Sequence, residues 1–229
     1  FPTEIIDLPS KGLLYPKESP LSSGKIEMKY MTAKEEDILT NNNYIARGIV
    51  IDKLLQALIV DKSIKYGDLL AGDKNVLLVG ARILGYGEMY EFEYDGEKIS
   101  IDLSKLDNKP LDEELFKEGK NEFTYTLPTS NKNITFKFLT HTDEQSIQQE
   151  IKGLQKINKD ANPEMSTRLK HIIQSVDGKV DQKSIRDFVD NEFLARDARA
   201  FRNYYGSLQP DLDLTFYPEN GPEEGVDIP

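Results

Sequence analysis

Residues 25–39 run Lys25-Ile26-Glu27-Met28-Lys29-Tyr30-Met31-Thr32-Ala33-Lys34-Glu35-Glu36-Asp37-Ile38-Leu39, and the first part of the chain is organised around them. Ile26, Met28 and Tyr30 alternate with charged residues, which predicts a half-buried strand. Thr32 is followed three residues later by Glu35, the spacing of a capping box, so a helix is predicted to begin here. Removing the Thr32 hydroxyl should cost about 1 kcal/mol of stability.

Two further helices are predicted downstream of this switch. Apolar residues follow helical spacing from Ile51 to Ile59, and they form a stripe that needs a packing partner. Asp73 is expected to cap a third helix, whose buried face includes Val76, Leu77 and Ile83. The predicted strand and helices together make a lobe over residues 25–88.

A Pro-rich arm, residues 1–24, precedes this lobe. Its prolines exclude a long helix and favour an extended or turned backbone. Apolar residues nonetheless recur in it, among them Leu8, Leu14 and Tyr15. An arm of this kind should lie either on its own core or on a neighbouring chain, and the sequence leaves both alternatives open.

The hydrophobic period changes to two over residues 89–139, which predicts a small antiparallel β region. Tyr90, Phe92 and Tyr94 alternate with acids, and the following Asp95-Gly96 is a strong hairpin pattern. A second pair of alternating runs extends from Phe123 to Phe138. The charged segment 107–120 between the two pairs is expected to contain a short helical turn around Glu113 to Phe116. The prediction is a sheet of about four strands.

A second helical lobe is predicted over residues 140–205, followed by an acidic tail over 206–229. Thr142 with Gln145 and, later, Asp181 are the expected helix caps. No Lys or Arg follows Arg202, whereas the tail contains six acidic residues: Asp211, Asp213, Glu219, Glu223, Glu224 and Asp227. This tail could meet a basic partner or remain solvated. The predicted class is α+β: a helical lobe, a small antiparallel sheet, a second helical lobe, and irregular N- and C-terminal arms.

Composition narrows the classes of partner and chemistry. A net charge of −11 opposes nucleic acid and anionic membrane as general partners. No apolar run approaches the length of a membrane span. The chain has no cysteine, so disulfides, thiolate nucleophiles and cysteine-ligated zinc are excluded. The start at Phe1, without the pattern of a secretory signal, is interpreted as a trimmed start.

Catalytic motifs are not visible in the sequence. There is no Gly-x-Ser-x-Gly elbow, dinucleotide fingerprint or phosphate loop. His141 and His171 have no sequence context that makes either a base or a metal ligand. Carboxylates are abundant, however, and a hydrolytic pair could form in three dimensions without a linear trace. No catalytic residue and no cofactor is therefore predicted.

Four ordered blocks resemble a known family. They are Pro9-Ser10-Lys11-Gly12-Leu13-Leu14-Tyr15-Pro16, Met31 to Leu39, Asp68-Leu69-Leu70-Ala71-Gly72-Asp73 and Arg82-Ile83-Leu84-Gly85-Tyr86-Gly87. In this order they are similar to the baseplate hub and hub-assembly proteins of T-even-type bacteriophages. Val176-Asp177-Gly178 and Arg196-Asp197 extend the resemblance more weakly towards the end.

The resemblance implies a non-enzymatic component of a phage tail baseplate hub, in the virion or in the infected cytoplasm during assembly. Its partners would be other tail or baseplate proteins, with the tape-measure protein as one candidate. The expected partner-binding residues lie in the arm and the tail: Leu8, Pro9, Lys11, Leu14, Tyr15, Pro16, Asp211, Asp213, Phe216 and Tyr217. Two alternatives remain: a transient assembly chaperone absent from the mature virion, and a hub-associated, carboxylate-dependent hydrolase.

One departure from the family pattern concerns zinc. Similar proteins often carry Cys-x-x-Cys pairs in the central hairpin and near the end, whereas Tyr217 and Asn220 occupy the later positions here. The expectation is that zinc is absent. Packing of Tyr94, Phe216 and Tyr217 would then hold the hairpin to the tail.

Overall fold

A computed structural model describes residues 1–116 and 119–229, and the contacts within it divide the chain into two units. Unit 1 contains Phe1–Ile64, Gly72–Leu111 and Pro210–Pro229, and unit 2 contains Lys65–Ala71 and Asp112–Gln209. The α+β class predicted from the sequence is confirmed. The division into five consecutive segments stays a prediction. Lys117 and Glu118, within the charged segment 107–120, lie outside the described residues.

The described chain contains helices of five to 17 residues and strands of two to six residues. The elements in chain order are β1 (Thr3–Asp7), β2 (Lys25–Lys29), α1 (Ala33–Leu39), α2 (Asn42–Ala46), α3 (Val50–Leu58), α4 (Ala71–Tyr86), β3 (Met89–Tyr94), β4 (Glu97–Asp102), β5 (Phe123–Thr126), β6 (Asn133–Phe136), α5 (His141–Ile157), α6 (Glu164–Ile172), β7 (Ile173–Val176), α7 (Gln182–Asp187), α8 (Ala195–Leu208), β8 (Thr215–Phe216) and β9 (Val226–Asp227). A five-residue π-helical turn, Phe188–Glu192, follows α7.

In unit 1 the predicted strand-to-helix switch is confirmed. β2 buries Ile26 and Met28, and it pairs antiparallel with β1. Thr32 is the N-cap of α1, and its backbone N–H donates to the Glu35 carboxylate at 2.8 Å. The Thr32 hydroxyl donates to the same carboxylate. These hydrogen bonds from Thr32 to Glu35 fix the place where β2 ends and α1 begins.

The helix predicted to be capped at Asp73 begins two residues earlier, at Ala71, so that expected cap is wrong. The Asp73 carboxylate is instead occupied by Ser10 and Tyr15. The Asp95-Gly96 hairpin is confirmed: both residues have positive φ, at 49° and 77°, and they join β3 to β4. Asp and Gly tolerate this left-handed conformation better than most residues.

Unit 2 contains a three-stranded antiparallel sheet in the order β5-β6-β7. Its core is aromatic, with Phe136, Phe138 and Phe201 at 0–1% exposure. The two predicted hairpins belong to different units, so the strands form separate sheets of two or three strands. The sheet of about four strands is matched only loosely.

Two details of the predicted helices in unit 2 need correction. The N-cap of α5 is Thr140, not Thr142, because Thr140 forms a reciprocal capping box with Asp143. The last helix is interrupted between α7 and α8, where Phe193 and Leu194 leave the helical conformation. The predicted cap of α7 is confirmed, since Asp181 accepts a hydrogen bond from the Ser184 N–H at 2.9 Å.

Candidate partner-binding groove

The Pro-rich arm folds into unit 1. Leu8, Leu14 and Tyr15 are only 1–4% exposed, and Pro9 is also buried. Of the two alternatives left open by the sequence, the structure has the arm on its own core. The expectation that these four side chains bind a partner needs correction, because burial leaves them no surface to present. Two other residues of that expected set, Lys11 and Pro16, are exposed.

Asp73 fixes the arm to α4. Its carboxylate accepts hydrogen bonds from the Ser10 backbone N–H at 3.1 Å, the Ser10 hydroxyl at 2.6 Å and the Tyr15 hydroxyl at 2.5 Å. Burial raises the pKa of Asp73 above its ordinary value, although these hydrogen bonds act in the opposite direction. The nearby charge of Asp211 raises the pKa further.

Asp73 and Asp211 lie close enough for their charges to interact, so they are a candidate for the carboxylate pair expected for a hydrolase. A raised pKa is what a general acid requires. The Asp73 side chain is fully buried, however, and both of its oxygens already accept hydrogen bonds from the arm. A substrate could reach neither oxygen in this arrangement. The geometry of the pair therefore supports a structural role.

The first residues of the tail are held against the same region of unit 1. Asp211 accepts hydrogen bonds from the Asn75 side chain at 3.1 Å and, at its carbonyl, from the Lys109 N–H at 2.9 Å. The Asp213 N–H donates to the Asp107 carbonyl at 2.8 Å. Asp211 and Asp213 are therefore tied to the body of unit 1.

Gly72 permits a close approach of α4 and the tail. A Cβ at this position would lie 1.8 Å from the carbonyl oxygen of Pro210, so any larger residue would displace the tail backbone. The sequence gives no hint of this contact, because the two residues are far apart along the chain.

The aromatic contact expected between the hairpin and the tail is present in part. The Phe216 ring meets Phe92 and Tyr94 in edge-to-face geometry, with ring centroids 5.4 and 5.7 Å apart. Tyr217 does not join this cluster closely, since 66% of its surface is exposed. Within the described ranges, no three His, Asp or Glu side chains gather to hold a metal ion.

An open groove of about 330 Å³ lies in unit 1, between β1, α4 and the segment that follows β4. Most of its lining residues are nonpolar, although polar atoms contribute about half of its exposed surface. The lining comes from four stretches of the chain: Ile5, Ile6 and Asp7; Val76, Val79, Gly80 and Ile83; Leu103, Ser104, Leu106, Asp107 and Asn108; and Leu212. Ile5 is 65% exposed at its margin. Exposed nonpolar side chains that gather in a groove are typical of a site that binds another molecule.

The walls of the groove are positioned by the contacts already described. Asp73 ties the arm that follows β1 to the first turn of α4. The isolated bridge between Asn108 and Leu212 ties the segment after β4 to the tail. Gly80 allows β1 to lie close to α4, since a Cβ there would be 3.1 Å from Cδ1 of Ile6. The groove is therefore preformed.

A second cavity, of about 300 Å³, lies in unit 2 and is polar. Its lining includes four basic side chains, Lys137, Lys170, His171 and Arg186, and the acidic Asp143. Each of the four basic side chains has an acidic partner, because Asp143 pairs with Lys137, Asp190 with Lys170, and Glu150 with both His171 and Arg186. These internal ion pairs compete with any anionic ligand.

Both histidines make contacts with other residues of unit 2 that stabilise the fold. The His141 backbone N–H donates to Leu69 at 2.9 Å, and its ring meets the edge of Tyr66 at 4.7 Å. Nε2 of His171 is 2.7 Å from the Glu150 carboxylate. Their placement, at the start of α5 and within α6, agrees with the helices predicted from the sequence.

The structure thus defines a mixed α+β chain with an open groove, lined mostly by nonpolar residues, in unit 1 and a polar cavity in unit 2. Comparisons with protein families, with curated proteins and with solved structures find no match. No helix in the described residues combines the length and apolarity needed to span a membrane.

Proposed function

We propose that this protein is a non-enzymatic structural or assembly component of a bacteriophage tail baseplate hub. It acts by binding other tail or baseplate proteins, with the tape-measure protein as one candidate partner. The observation that carries the proposal is the open groove of unit 1, whose lining residues are mostly nonpolar and come from four stretches of the chain. Preformed apolar surfaces of this kind favour association between proteins.

The residue blocks that resemble hub proteins support the proposal through their positions. Ser10 and Tyr15 of the first block contact Asp73 of the third. Met31 of the second block lies against Gly85 of the fourth, where a Cβ would be 2.5 Å from the Met31 sulfur. Residues of the four blocks that belong to unit 1 therefore meet in pairs. The residues that resemble hub proteins therefore contact one another and stabilise the fold of unit 1, as expected for a structural protein.

The binding surface in this proposal differs from the one expected from the sequence. Much of the arm is part of the core, so it positions the groove instead of reaching outwards. Exposed residues at the margin, such as Ile5, become the candidates for contact. Three residues of the original set, Lys11, Pro16 and Tyr217, remain exposed and stay candidates.

A phage carrying a tagged copy of the gene would test the proposal. Val79→Asp places a charge in the groove, whereas Leu78→Asp places the same charge on the neighbouring exposed position of α4. We expect only Val79→Asp to reduce the yield of complete tails, provided that both variants melt at similar temperatures.

Mass spectrometry of purified particles would complete this test. A hub component is present in finished tails, whereas a chaperone is present only in assembly intermediates. Absence from both kinds of particle, with tail yield unaffected by deletion of the gene, would contradict the proposal.

A further inference from the structure

The outer edge of β1 borders the groove. Ile5, Ile6 and Asp7 are consecutive, and all three line the groove. Side chains of consecutive strand residues point to opposite faces, so one face of the strand cannot supply all three. The groove is therefore bordered by the edge of the strand, where backbone N–H and C=O groups face the groove.

The register shows which backbone groups these are. The Leu8 N–H donates to the Gly24 carbonyl, and the Tyr30 N–H donates to the Pro2 carbonyl. In an antiparallel pair, hydrogen-bonded positions alternate, so the even-numbered residues of β1 bond to β2. The N–H and C=O groups of Thr3, Ile5 and Asp7 then point away from β2, to the outer edge.

This outer edge lacks a strand partner in the described part of the chain, since β1 pairs there with β2 alone. The Asn108 side chain donates to the Asp7 carbonyl across a long 3.4 Å, which agrees with an outward-facing carbonyl at that position. Unpaired edges of this kind can pair with a strand from another chain.

The floor of the groove suits the side chains of an added strand. Val76, Val79 and Ile83 lie along α4 and are half-buried, and Leu106 faces them from the other wall. A strand paired with β1 would direct every second side chain towards this apolar floor. Backbone pairing would then provide affinity, and the floor would select apolar residues at alternate positions.

The charge of unit 1 indicates the charge that a partner should carry. Unit 1 contains 23 Asp and Glu residues against 13 Lys and Arg residues, whereas unit 2 contains 17 against 16. At the groove, Asp7 and Asp107 belong to the lining, and Asp211 and Asp213 flank Leu212. Lys25 pairs with Asp7 at 2.6 Å, and Lys105 and Lys109 are the other cations in these segments. The surroundings of the groove are negative on balance.

From this geometry we infer that the groove binds an extended segment of a different, basic protein, which adds as a strand to the outer edge of β1. Apolar residues alternate in the segment, and Lys or Arg residues flank them. This inference rests on the proposed function and names the chemistry of its partner. A second copy of the chain fits less well, because two units that each carry a charge of −10 would repel one another.

A library of short synthetic peptides would test the inference on the full chain. Every peptide alternates valine or isoleucine with threonine, and half of the library has lysine flanks while the other half has glutamate flanks. We expect selective binding of lysine-flanked peptides, which weakens as salt rises. Bound peptide should slow hydrogen exchange at the amides of Thr3, Ile5 and Asp7.

Ile5→Pro separates backbone pairing from side-chain contact. Proline removes the outward N–H of residue 5 and leaves the bonds to β2 in place, and edge strands tolerate proline at such positions. Ile5→Thr is the matched control, since it shortens the apolar side chain and retains the N–H. We expect Ile5→Pro to weaken peptide binding about tenfold relative to Ile5→Thr. Thermal melting identifies any loss of folding.

Three results would overturn the inference: no binding by either half of the library, equal binding of both halves, or dimerisation of the chain through β1 that Ile5→Pro abolishes. Failure of the proposed function is a separate result. If finished tails contain the protein and Ile5→Pro assembles normally, the function stands and the inference falls. If peptides bind as expected while tails neither contain nor need the protein, the function falls.

Discussion

Asp73 is the residue at which the arm is joined to α4, and its replacement should therefore be costly. Asp73→Ala removes the acceptor of three hydrogen bonds in a buried place, so we expect a loss of about 3 kcal/mol in the free energy of unfolding. Ser10→Ala should cost about 1–2 kcal/mol. Urea unfolding followed by far-ultraviolet circular dichroism measures both changes.

The matched control for Asp73→Ala is Glu18→Ala. Glu18 is exposed in the same arm, and its removal should change the free energy of unfolding by less than about 0.5 kcal/mol. Equal effects of Asp73→Ala and Glu18→Ala would show that the arm is not held by the Asp73 carboxylate.

Glu35 predicts a specific pH dependence. Burial by itself raises the pKa of Glu35, but hydrogen bonds from Lys29 and Thr32 outweigh it and lower the pKa from 4.5 to about 2. A lowered pKa contributes stability above pH 4.5, and the contribution disappears as the pH falls towards 2. Glu35→Gln should therefore be less stable than the wild type at pH 7, by about 1–3 kcal/mol.

The difference between Glu35→Gln and the wild type should shrink as the pH falls from about 4.5 to 2. Thermal melts across this range, with Glu36→Gln as the exposed neighbouring control, would measure it. A difference that stays constant with pH would mean that the ionised Glu35 carboxylate is not the stabilising group.

Among the secondary-structure elements, those specified by local chemistry could be predicted from the sequence. The Asp95-Gly96 turn and the Thr32 and Asp181 caps depend on residues only a few positions apart, and the structure has all three. Asp73 was expected to be a cap for the same local reason. That prediction failed because distant hydroxyl groups, from Ser10 and Tyr15, occupy its carboxylate.

The N-cap of α5 was mispredicted because two neighbouring threonines fit the capping pattern. Thr140 and Thr142 both precede an apolar helical stripe, and each has an Asp or Gln three residues later. The choice falls to Thr140 because Leu70 bridges to it and Leu69 accepts a hydrogen bond from the His141 N–H. Contacts between residues so far apart in the sequence cannot be predicted from a local sequence pattern.

Glu150 is expected to hold three helices of unit 2 together. Its carboxylate, on α5, lies 2.7 Å from Nε2 of His171 on α6 and accepts a hydrogen bond from Arg186 at 3.1 Å, near the end of α7. The hydrogen bond from Arg186 is the main reason that the pKa of Glu150 is lowered to about 2, despite burial. Glu150→Gln keeps the size of the side chain and removes its charge.

We expect Glu150→Gln to destabilise unit 2 by about 1–2 kcal/mol at pH 7. Gln149→Ala, at an exposed position of the same helix, should change stability by less than about 0.5 kcal/mol. Hydrogen exchange of the α6 and α7 amides would measure the effect locally. Unchanged exchange in Glu150→Gln would exclude Glu150 as the link between these helices.

At the scale of the whole molecule, the groove was the feature least accessible to sequence analysis. Val76 and Ile83 were correctly assigned to one face of a helix, yet that pattern does not distinguish a covered face from an open one. β1 was not predicted, because its five residues lie in an arm rich in proline. The groove arises only when four separated stretches meet.

The position of the arm changes what a deletion should do. If the arm lay on a neighbouring chain, removal of residues 1–18 would leave a folded body. In the structure this deletion removes β1 together with buried Leu8, Leu14 and Tyr15, so unit 1 should lose most of its protection from hydrogen exchange. Protection in unit 2, which contains none of these residues, is the internal control. Retained protection in β2 and α4 would contradict this prediction.

The uneven charge of the two units predicts that they respond differently to salt. Unit 1 carries a formal charge of −10 and unit 2 a charge of −1. Repulsion among like charges destabilises a folded state, and the Debye length falls from about 30 Å at 0.01 M to about 8 Å at 0.15 M. Added sodium chloride should therefore slow hydrogen exchange in β2 and α4 while β6 and α8 change little.

Glucose, which does not screen charge, is the control for general solvent effects. Equal slowing in both units would show that salt acts on folding in general and not on the charge of unit 1.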